Sequence, residues 1–220
     1  MLPLTRHGWR EMVVGTVVLA LLGYGLHFVC PWPWAWVIFV PVEVWLLAFF
    51  RDPERAIPGT GRDYLSPADG VVSDIREIAD CEVLGEPAIR IGIFLSVFNV
   101  HINRIPCQGV IKSVQYRKGK FINALHHDEA SDKNEANTIV IVDSAGRCVA
   151  GVRQLVGLIA RRIVCDAKVG DKYERGQRYG MIKFGSRTEL YIPLRLKPTV
   201  KVKVGQKVRG AAVILASVEG

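Results

Sequence analysis

The sequence predicts a mainly β domain preceded by a hydrophobic helical hairpin. Three observations lead to this prediction: charge is scarce before position 51, short β-branched runs alternate with turn residues after it, and a Val-Gly turn occurs twice near the C-terminus. Strands separated by turn signals at short intervals are typical of all-β sandwiches and barrels. We therefore expect two parts, a hydrophobic hairpin at 1–50 and a β-rich domain at 51–220.

Two apolar stretches form the predicted hairpin. Residues 12–29 carry no charged side chain, and residues 34–50 carry only Glu43. Each stretch is close to the length of about 17 to 20 residues that crosses a bilayer. The link at 31–33 is too short for a folded connection, so we expect a membrane hairpin. Pro41 and Glu43 leave open whether the second stretch spans the membrane or lies in its interface.

Basic residues flank the hairpin and predict its orientation. Cytoplasmic segments next to membrane helices are enriched in Lys and Arg, and each end of this hairpin carries a pair of arginines: Arg6, Arg10, Arg51 and Arg55. The formal net charge of +8 also favours contact with anionic lipid headgroups. We therefore expect the protein at the cytoplasmic face of the cell membrane.

The composition argues against two other kinds of site. No basic run is interleaved with aromatic residues, so nucleic-acid binding is not predicted. The five cysteines are scattered and form no Cys-x-x-Cys pair. Neither a disulfide framework nor a metal site is therefore expected.

The β-rich domain is predicted from short strand-like runs. Strands are expected at 70–73, 88–95, 109–111, 138–142 and 149–152. Residues 155–162 fit a helix or a strand equally well, and the polar stretch 123–137 is expected to be a loop.

The Val-Gly turns at 169–177 and 204–210 narrow the architecture. They resemble the hairpins of the barrel-sandwich hybrid, the fold of biotinyl and lipoyl carriers, and residues 66–72 resemble its opening strand. A barrel-sandwich-hybrid-like, curled β-sandwich is therefore the expected fold. Such a pattern informs the fold more than the function.

A polar cluster follows the predicted strand at 88–95. Asn99, His101 and Asn103 recur at a period of two, which places their side chains on one face of a strand. Arg104 stands directly beside them. A single buried histidine is usually structural, whereas this aligned group favours a functional site.

Two further short motifs carry chemistry. Asp69 precedes a glycine, and this arrangement usually caps a turn. Gly185 precedes Ser186, so an accessible carbonyl stands beside a hydroxyl nucleophile. Gly-Ser pairs are common in ordinary turns, so the functional interpretation depends on the other motifs.

Taken together, these motifs resemble the phosphatidylserine decarboxylase proenzymes, in their shorter, archaeal-type branch. The resemblance covers nearly the whole chain: the apolar hairpin and the segments 50–53, 66–70, 94–106, 134–136 and 184–187. It implies self-cleavage between Gly185 and Ser186 into a beta chain (1–185) and an alpha chain (186–220). Ser186 would then become a covalent pyruvoyl group, which forms a Schiff base with the substrate.

The resemblance also implies roles for the other motif residues. Asp69 would take part in self-processing, and His101 would return a proton to the product. Asn99, Asn103 and Arg104 would bind substrate. Arg104 stands where the longer branch has a second histidine, and an arginine stays protonated. The base for self-cleavage is therefore open between Asp69, His101 and the loop residues His126 and His127.

The implied reaction is decarboxylation of membrane phosphatidylserine to phosphatidylethanolamine and CO2. The implied assembly is a heterodimer of the two cleavage products, and a higher oligomer is compatible with it. The alternative is a membrane-anchored carrier or adaptor without enzymatic activity, in which Lys183 is modified as in biotinyl domains. A basic structural protein of the membrane surface would explain the charge and the hairpin but none of the motifs.

Overall fold

The computed structural model describes residues 3–30, 32, 34–121, 131–157, 162–183 and 186–219. The chain divides into two compact units, Met1–Glu54 and Arg55–Gly220. Each unit is described by itself below.

The first unit is helical. A 3-10 turn, Arg6–Gly8, leads into helix α1 at Trp9–Val29, and a second 3-10 turn, Ala35–Phe39, continues into helix α2 at Val40–Phe49. The helical stretch Arg6–Val29 contains an 18-residue segment with a mean hydropathy of 2.0 and is long and apolar enough to cross a membrane. The stretch Ala35–Phe49 is apolar but shorter.

The single acidic residue of the second apolar stretch has a partner in the first helix. Thr16 Oγ1 donates a hydrogen bond of 2.7 Å to Glu43 Oε1. A carboxyl group among apolar side chains is costly without such a partner. This contact therefore joins α1 to α2 within the unit.

The second unit is built almost entirely from antiparallel strands. Its strands in chain order are β1 Asp63–Leu65, β2 Gly70–Ile78, β3 Ala88–Leu95, β4 Ile102–Arg104, β5 Gly109–Arg117, β6 Ala136–Val142, β7 Cys148–Val156, β8 Arg162–Cys165, β9 Lys172–Tyr173, β10 Arg178–Lys183, β11 Ser186–Pro193, β12 Thr199–Val200, β13 Lys207–Val208 and β14 Ile214–Ser217. The largest sheet has the strand order β13-β2-β3-β11-β7-β6-β5-β9. Two three-stranded sheets have the orders β4-β10-β8 and β1-β14-β12.

This architecture confirms the predicted fold class, a mainly β, curled sheet that follows an apolar N-terminal helix in the chain. Residues 155–162 were predicted to form a helix or a strand. The strand prediction is confirmed for the start of this segment, which is the end of β7, and residues 158–161 lie outside the described residues. The predicted loop at 123–137 was too long, because β6 already begins at Ala136 and pairs with β5 and β7 there. Residues 123–130 of that loop lie outside the described residues.

Strand β11 lies in the middle of the large sheet and has two chemically different faces. It pairs with β3 over eight positions, Ser186 to Pro193, and with β7 on its other side. Side chains alternate between faces along a strand. Leu190 and Ile192 enter the apolar core with Ile91 and Ile93. Arg187 and Glu189, at alternate positions earlier in the strand, point to the opposite face, although both are fully buried.

Both Val-Gly turns precede a short edge strand. Gly170 has a φ of 91° and Gly205 a φ of 86°, which L side chains rarely adopt. Strand β9 follows the first turn and pairs with β5, and β13 follows the second turn and pairs with β2. The two turns thus lead into the two outermost strands of the large sheet.

Candidate active site

Ser186 is the first residue of β11 and lies deep inside the second unit. It pairs with Leu95 of β3 and Val156 of β7, and none of its surface is exposed. Its Oγ is buried and has no hydrogen-bond partner within the described part of the chain. A buried hydroxyl without a partner is rare in native proteins and is a frequent mark of a reactive group. Gly185 and Phe184 lie outside the described residues.

Three buried amides and the hydroxyl of Thr188 form a row beside the start of β11. Thr188 Oγ1 accepts a bond of 3.1 Å from Asn103 Nδ2, and Asn103 Oδ1 accepts one of 2.9 Å from Gln154 Nε2. Gln154 Oε1 in turn accepts a bond of 3.1 Å from Asn137 Nδ2. A connected, fully buried network of this kind fixes the side chains that belong to it. The network ties β4 to β11 on the face that also carries Ser186.

Three members of this row were missed from the sequence. Thr188 stands two positions after Ser186 and therefore shares its face. Gln154 and Asn137 interrupt apolar strands, and an amide inside such a strand is a usable signal of a buried polar site. The contacts of Asn103 are with these residues, and a direct contact with substrate stays a prediction.

His101 lies directly before β4 and is fully buried. Its Nδ1 is 2.9 Å from the carbonyl oxygen of Asn99. A carbonyl oxygen only accepts hydrogen bonds, so Nδ1 carries a proton and donates this bond, and proton exchange with another group falls to Nε2. The main chain of His101 is also anchored, since its carbonyl accepts a bond of 3.2 Å from the Ile182 amide.

The prediction that Asn99, His101 and Asn103 share one strand face was wrong for Asn99. Asn99 lies in a turn before β4. Its Oδ1 accepts hydrogen bonds from the amide and the hydroxyl of Ser96, at 2.8 and 2.9 Å. An asparagine side chain that binds nearby backbone favours a turn over a strand. Asn99 contributes to the site through its carbonyl, which orients His101.

Asp69 occupies the turn before β2 and is nearly buried. Its Oδ2 accepts a bond of 2.8 Å from Arg55, and its Oδ1 accepts one of 2.7 Å from the amide of Gly210. The carboxylate therefore contacts a distant turn. The neighbouring Gly70 allows β2 to approach β3 closely, because a Cβ there would overlap the carbonyl oxygen of Phe94.

A pocket of about 430 Å³ opens beside Asp69. Its lining comprises Asp69, Gly70, Val71, Phe94, Ser96, Asn99, Lys207, Val208 and Arg209. Phe94 and Ser96 stand on either side of Leu95, the backbone partner of Ser186. The structure therefore brings Asp69 and Asn99 to one pocket at the end of the sheet that holds Ser186.

The pocket contains two cations that sequence reasoning did not assign. Lys207 and Arg209 are exposed, whereas the carboxylate of Asp69 is neutralised by Arg55. The sequence does contain a signal for these two cations, because both lie in the second Val-Gly turn at 204–210. That turn predicted the fold but was not connected with a binding site.

The remaining predicted residues have different surroundings. Arg104 is buried and its Nη1 donates a bond of 3.1 Å to the carbonyl oxygen of Gly176. Lys183 is buried in β10, where its backbone stands opposite Arg162 of β8 in the sheet. His126 and His127 lie outside the described residues. Within the described ranges, no group of three His, Cys, Asp or Glu side chains is arranged to hold a metal ion.

The opposite face of β11 carries buried charges. Arg187 and Glu189 meet Asp74 of β2 and Arg90 of β3 there. Burial raises the pKa of the Asp74 carboxyl, but the guanidinium groups of Arg187 and Arg90 outweigh it and hold this pKa below its usual value. Asp74 is therefore an anion at neutral pH.

Comparison with known proteins identifies the class to which this fold and site belong. The family model described as Phosphatidylserine decarboxylase matches residues 42–216. The match includes every described residue of the buried row and of the pocket. It assigns the chain to the carbon dioxide-releasing lyases.

Relatives match over nearly the full length. Three proteins named phosphatidylserine decarboxylase proenzyme are similar to this chain. The one from Ralstonia pickettii (strain 12J) is 41% identical over 220 residues, covering 98% of this chain and 96% of the relative. The one from Burkholderia cenocepacia (strain HI2424) is 41% identical over 217 residues, covering 98% and 96%. The one from Solidesulfovibrio magneticus is 45% identical over 204 residues, covering 93% and 92%. The chain belongs to the phosphatidylserine decarboxylase family.

Proposed function

We propose that this chain is a proenzyme that cuts itself between Gly185 and Ser186 and then decarboxylates phosphatidylserine to phosphatidylethanolamine and CO2. The buried Oγ of Ser186, which has no hydrogen-bond partner among the described residues, carries the proposal. Its place in a sheet that the family model covers supports the same assignment. The products are the chains 1–185 and 186–220, held together as a heterodimer.

The cutting reaction uses atoms of the chain itself. Ser186 Oγ attacks the carbonyl carbon of Gly185, and the amide becomes an ester as the acyl group moves from nitrogen to oxygen. A base removes the Cα proton of Ser186, and the carboxylate of Gly185 leaves. The remaining dehydroalanine takes up one water and releases ammonia. Position 186 then carries a pyruvoyl group.

The site fits this cofactor because β11 holds position 186 in a buried interior beside fixed polar groups. When formed, the pyruvoyl group supplies an electron sink that lets the substrate lose CO2. The Thr188–Asn103 contact positions β4 against β11. His101, protonated at Nε2 as well as at Nδ1, then delivers its Nε2 proton to the carbon that lost the carboxylate.

The proposal is tested first on the purified protein. Denaturing gel electrophoresis and intact-mass analysis are expected to show two chains divided at Gly185/Ser186. The smaller chain is expected to resist N-terminal sequencing and to weigh less than its encoded sequence by one molecule of ammonia. A single intact chain that releases CO2 from phosphatidylserine would contradict the mechanism.

Asp69 is the proposed base for self-cleavage, and replacing it with asparagine is expected to slow maturation by about 10²- to 10⁴-fold. Asparagine keeps the size of the side chain and its acceptor for the Gly210 amide, but it has no basic carboxylate. Maturation is followed as the fraction of uncut chain with time on a denaturing gel.

Arg55→Gln is the matched control for Asp69→Asn. It removes the ion pair of 2.8 Å but leaves the carboxylate in place. If Arg55→Gln slows cutting as much as Asp69→Asn does, the ion pair is what matters, and the assignment of Asp69 as the base fails.

The phosphodiester of the substrate is proposed to bind in the pocket beside Asp69. Lys207 and Arg209 supply two cations there, and Asn99 adds a polar wall. Phosphate oxygens and basic side chains form strong charge-assisted hydrogen bonds. Arg104 and Asn103 stay proposed substrate contacts of the deeper site.

Replacing Lys207 or Arg209 with glutamine is expected to raise KM for phosphatidylserine about tenfold at low salt, since one charge-assisted bond is lost. Self-cleavage is expected to proceed normally. The measurement is the initial rate in mixed micelles at two salt concentrations. Lys203→Gln is the control, because Lys203 is an exposed lysine directly before the same turn and does not line the pocket. An equal rise in KM for all three variants would indicate general attraction to the micelle.

Membrane attachment through the N-terminal unit is proposed as the means by which the enzyme meets its lipid substrate. Helix α1 has the length and hydropathy of a membrane span, and the flanking arginines favour the cytoplasmic face.

The carrier alternative is disfavoured, because the lysine it would modify, Lys183, is buried within a strand.

A further inference from the structure

The residue after Ser186 is held by a set of contacts that the reaction itself does not use. The guanidinium of Arg187 is fully buried. It contacts the carboxylate of Asp74, and it donates bonds of 2.9 Å to Glu189 Oε1 and 2.6 Å to Ser73 Oγ. Three acceptors thus fix one side chain from three directions. A planar guanidinium is suited to such a site, and a lysine is not.

The same anions are also bound by neighbours on the large sheet. Arg90 donates to Asp74 Oδ2 at 3.2 and 3.0 Å, and its guanidinium lies 3.9 Å from Glu189 Oε1. Tyr191 donates a bond of 2.6 Å to Glu189 Oε2. Two cations therefore balance two anions. A buried cluster that is paired and hydrogen-bonded in this way is a rigid element of the fold.

Gly92 provides the space for this cluster. It stands in register between Asp74 of β2 and Glu189 of β11. A Cβ on Gly92 would overlap both the Arg187 guanidinium and the Asp74 carboxylate. Glycine weakens the interior of a strand, so it is typical of a place where other groups approach closely. Arg187 thus reaches across β3, over Gly92, to Asp74 on the next strand.

The cluster joins the two products of the proposed cleavage. Asp74, Ser73 and Arg90 belong to 1–185, whereas Arg187 and Glu189 belong to 186–220. Cutting at Gly185/Ser186 turns the start of β11 into a chain terminus, and chain termini fray unless they are held. Arg187 is the first side chain after the reacting position, and it points to the face opposite Ser186.

We propose that Arg187, held by Asp74, Ser73 and Glu189 over Gly92, is a positioning residue that keeps position 186 in place after the chain is cut. The proposal rests on the proposed self-cleavage. Arg187 does not contact the reacting atoms, because its side chain lies on the other face of β11. It acts by preventing the new terminus from leaving the sheet.

The test compares Arg187→Gln with Arg195→Gln in the full-length protein. Arg195 is the matched control, because its ion pair of 2.8 Å with Glu86 also joins the two products but lies at the surface. Amide hydrogen exchange of residues 187–190 is measured by mass spectrometry on the mature, two-chain proteins. We expect exchange at least about tenfold faster for Arg187→Gln and unchanged for Arg195→Gln.

Steady-state kinetics on the same mature proteins give the second readout. Because a displacement of about 1 Å at a reacting position can cost about 10²-fold in rate, kcat is expected to fall at least tenfold for Arg187→Gln, with KM nearly unchanged. In an uncut Ser186→Ala background, Arg187→Gln is expected to change the exchange of 187–190 much less, because the continuous chain then holds β11. Equal effects in cut and uncut proteins would overturn the positioning role.

The wild-type protein distinguishes failure of the proposed cleavage from failure of the positioning role. A wild-type chain that stays uncut refutes the proposed cleavage on which this inference depends. A wild-type chain that is cut, together with a mature Arg187→Gln protein whose exchange and kcat match it, refutes the positioning role alone. If Arg187→Gln does not mature, Ser73→Ala decides, since it removes only one of the three acceptors. Faster exchange at 187–190 would then support the proposal, and wild-type exchange would overturn it.

Discussion

Replacement of Ser186 with alanine is expected to give a single uncut chain of 220 residues without decarboxylase activity. Alanine fits the buried position and preserves the backbone pairing with Leu95 and Val156, so the fold is expected to persist. The variant lacks the hydroxyl that attacks Gly185, and therefore also the group from which the cofactor is made. Gel electrophoresis reports cutting, and CO2 release from carboxyl-labelled phosphatidylserine reports activity.

Two further variants make the Ser186 result specific. Ser217→Ala removes a serine hydroxyl whose bond of 2.6 Å goes to Asp63 in the small β1-β14-β12 sheet, so normal cutting and activity are expected. Ser186→Cys keeps a nucleophile and is expected to cut slowly. Decarboxylation by an uncut Ser186→Ala chain would show that the enzyme uses another electron sink.

The sequence was sufficient to predict the local elements of the fold. The β-branched run at 88–95 became β3 with the same limits, because Ile89, Ile91, Ile93 and Leu95 alternate along it and form one continuous apolar face. The Val-Gly turns were predictable for a similar reason, since Gly170 and Gly205 need a positive φ. These features depend on neighbours in the chain.

The geometry of the site depends on contacts between distant positions. Asp69 was singled out as a turn residue or a catalytic group, but its partner Gly210 is 141 positions away. The period of two that grouped Asn99 with His101 failed, because Ser96 donates to the Asn99 side chain and ends the strand pattern. A periodic pattern in the sequence does not show when a side chain competes with strand pairing for the hydrogen bonds of nearby backbone groups.

The buried charges beside Ser186 illustrate the same limit. The sequence places Arg187 in the cleavage motif but does not predict its burial, since an arginine in a sequence gives no sign of being fully buried. Its partners come from β2 and from its own strand, and the space comes from Gly92 on a third. A mid-strand glycine next to alternating charged residues would have been the available signal.

Replacement of His101 with glutamine is expected to lower kcat by about 10²- to 10⁴-fold with little change in KM, since a positioned general acid contributes about that factor. Glutamine can donate a hydrogen bond to the Asn99 carbonyl, as His101 Nδ1 does at 2.9 Å. It does not titrate near neutral pH, so it cannot deliver a proton to the product. The rates are measured on mature protein, separated from any uncut chain.

The mature fraction decides between the two roles left open for His101. A His101→Gln protein that matures at the normal rate but turns over slowly assigns the proton delivery to His101 and the self-cleavage to another base. His7→Gln is the matched control, because His7 belongs to the N-terminal helical unit. A mature His101→Gln protein with wild-type kcat would refute the assignment. In that case the hydrogen bond from His101 to the Asn99 carbonyl would have a structural role only. It would hold the buried imidazole ring in place without preparing Nε2 for proton transfer.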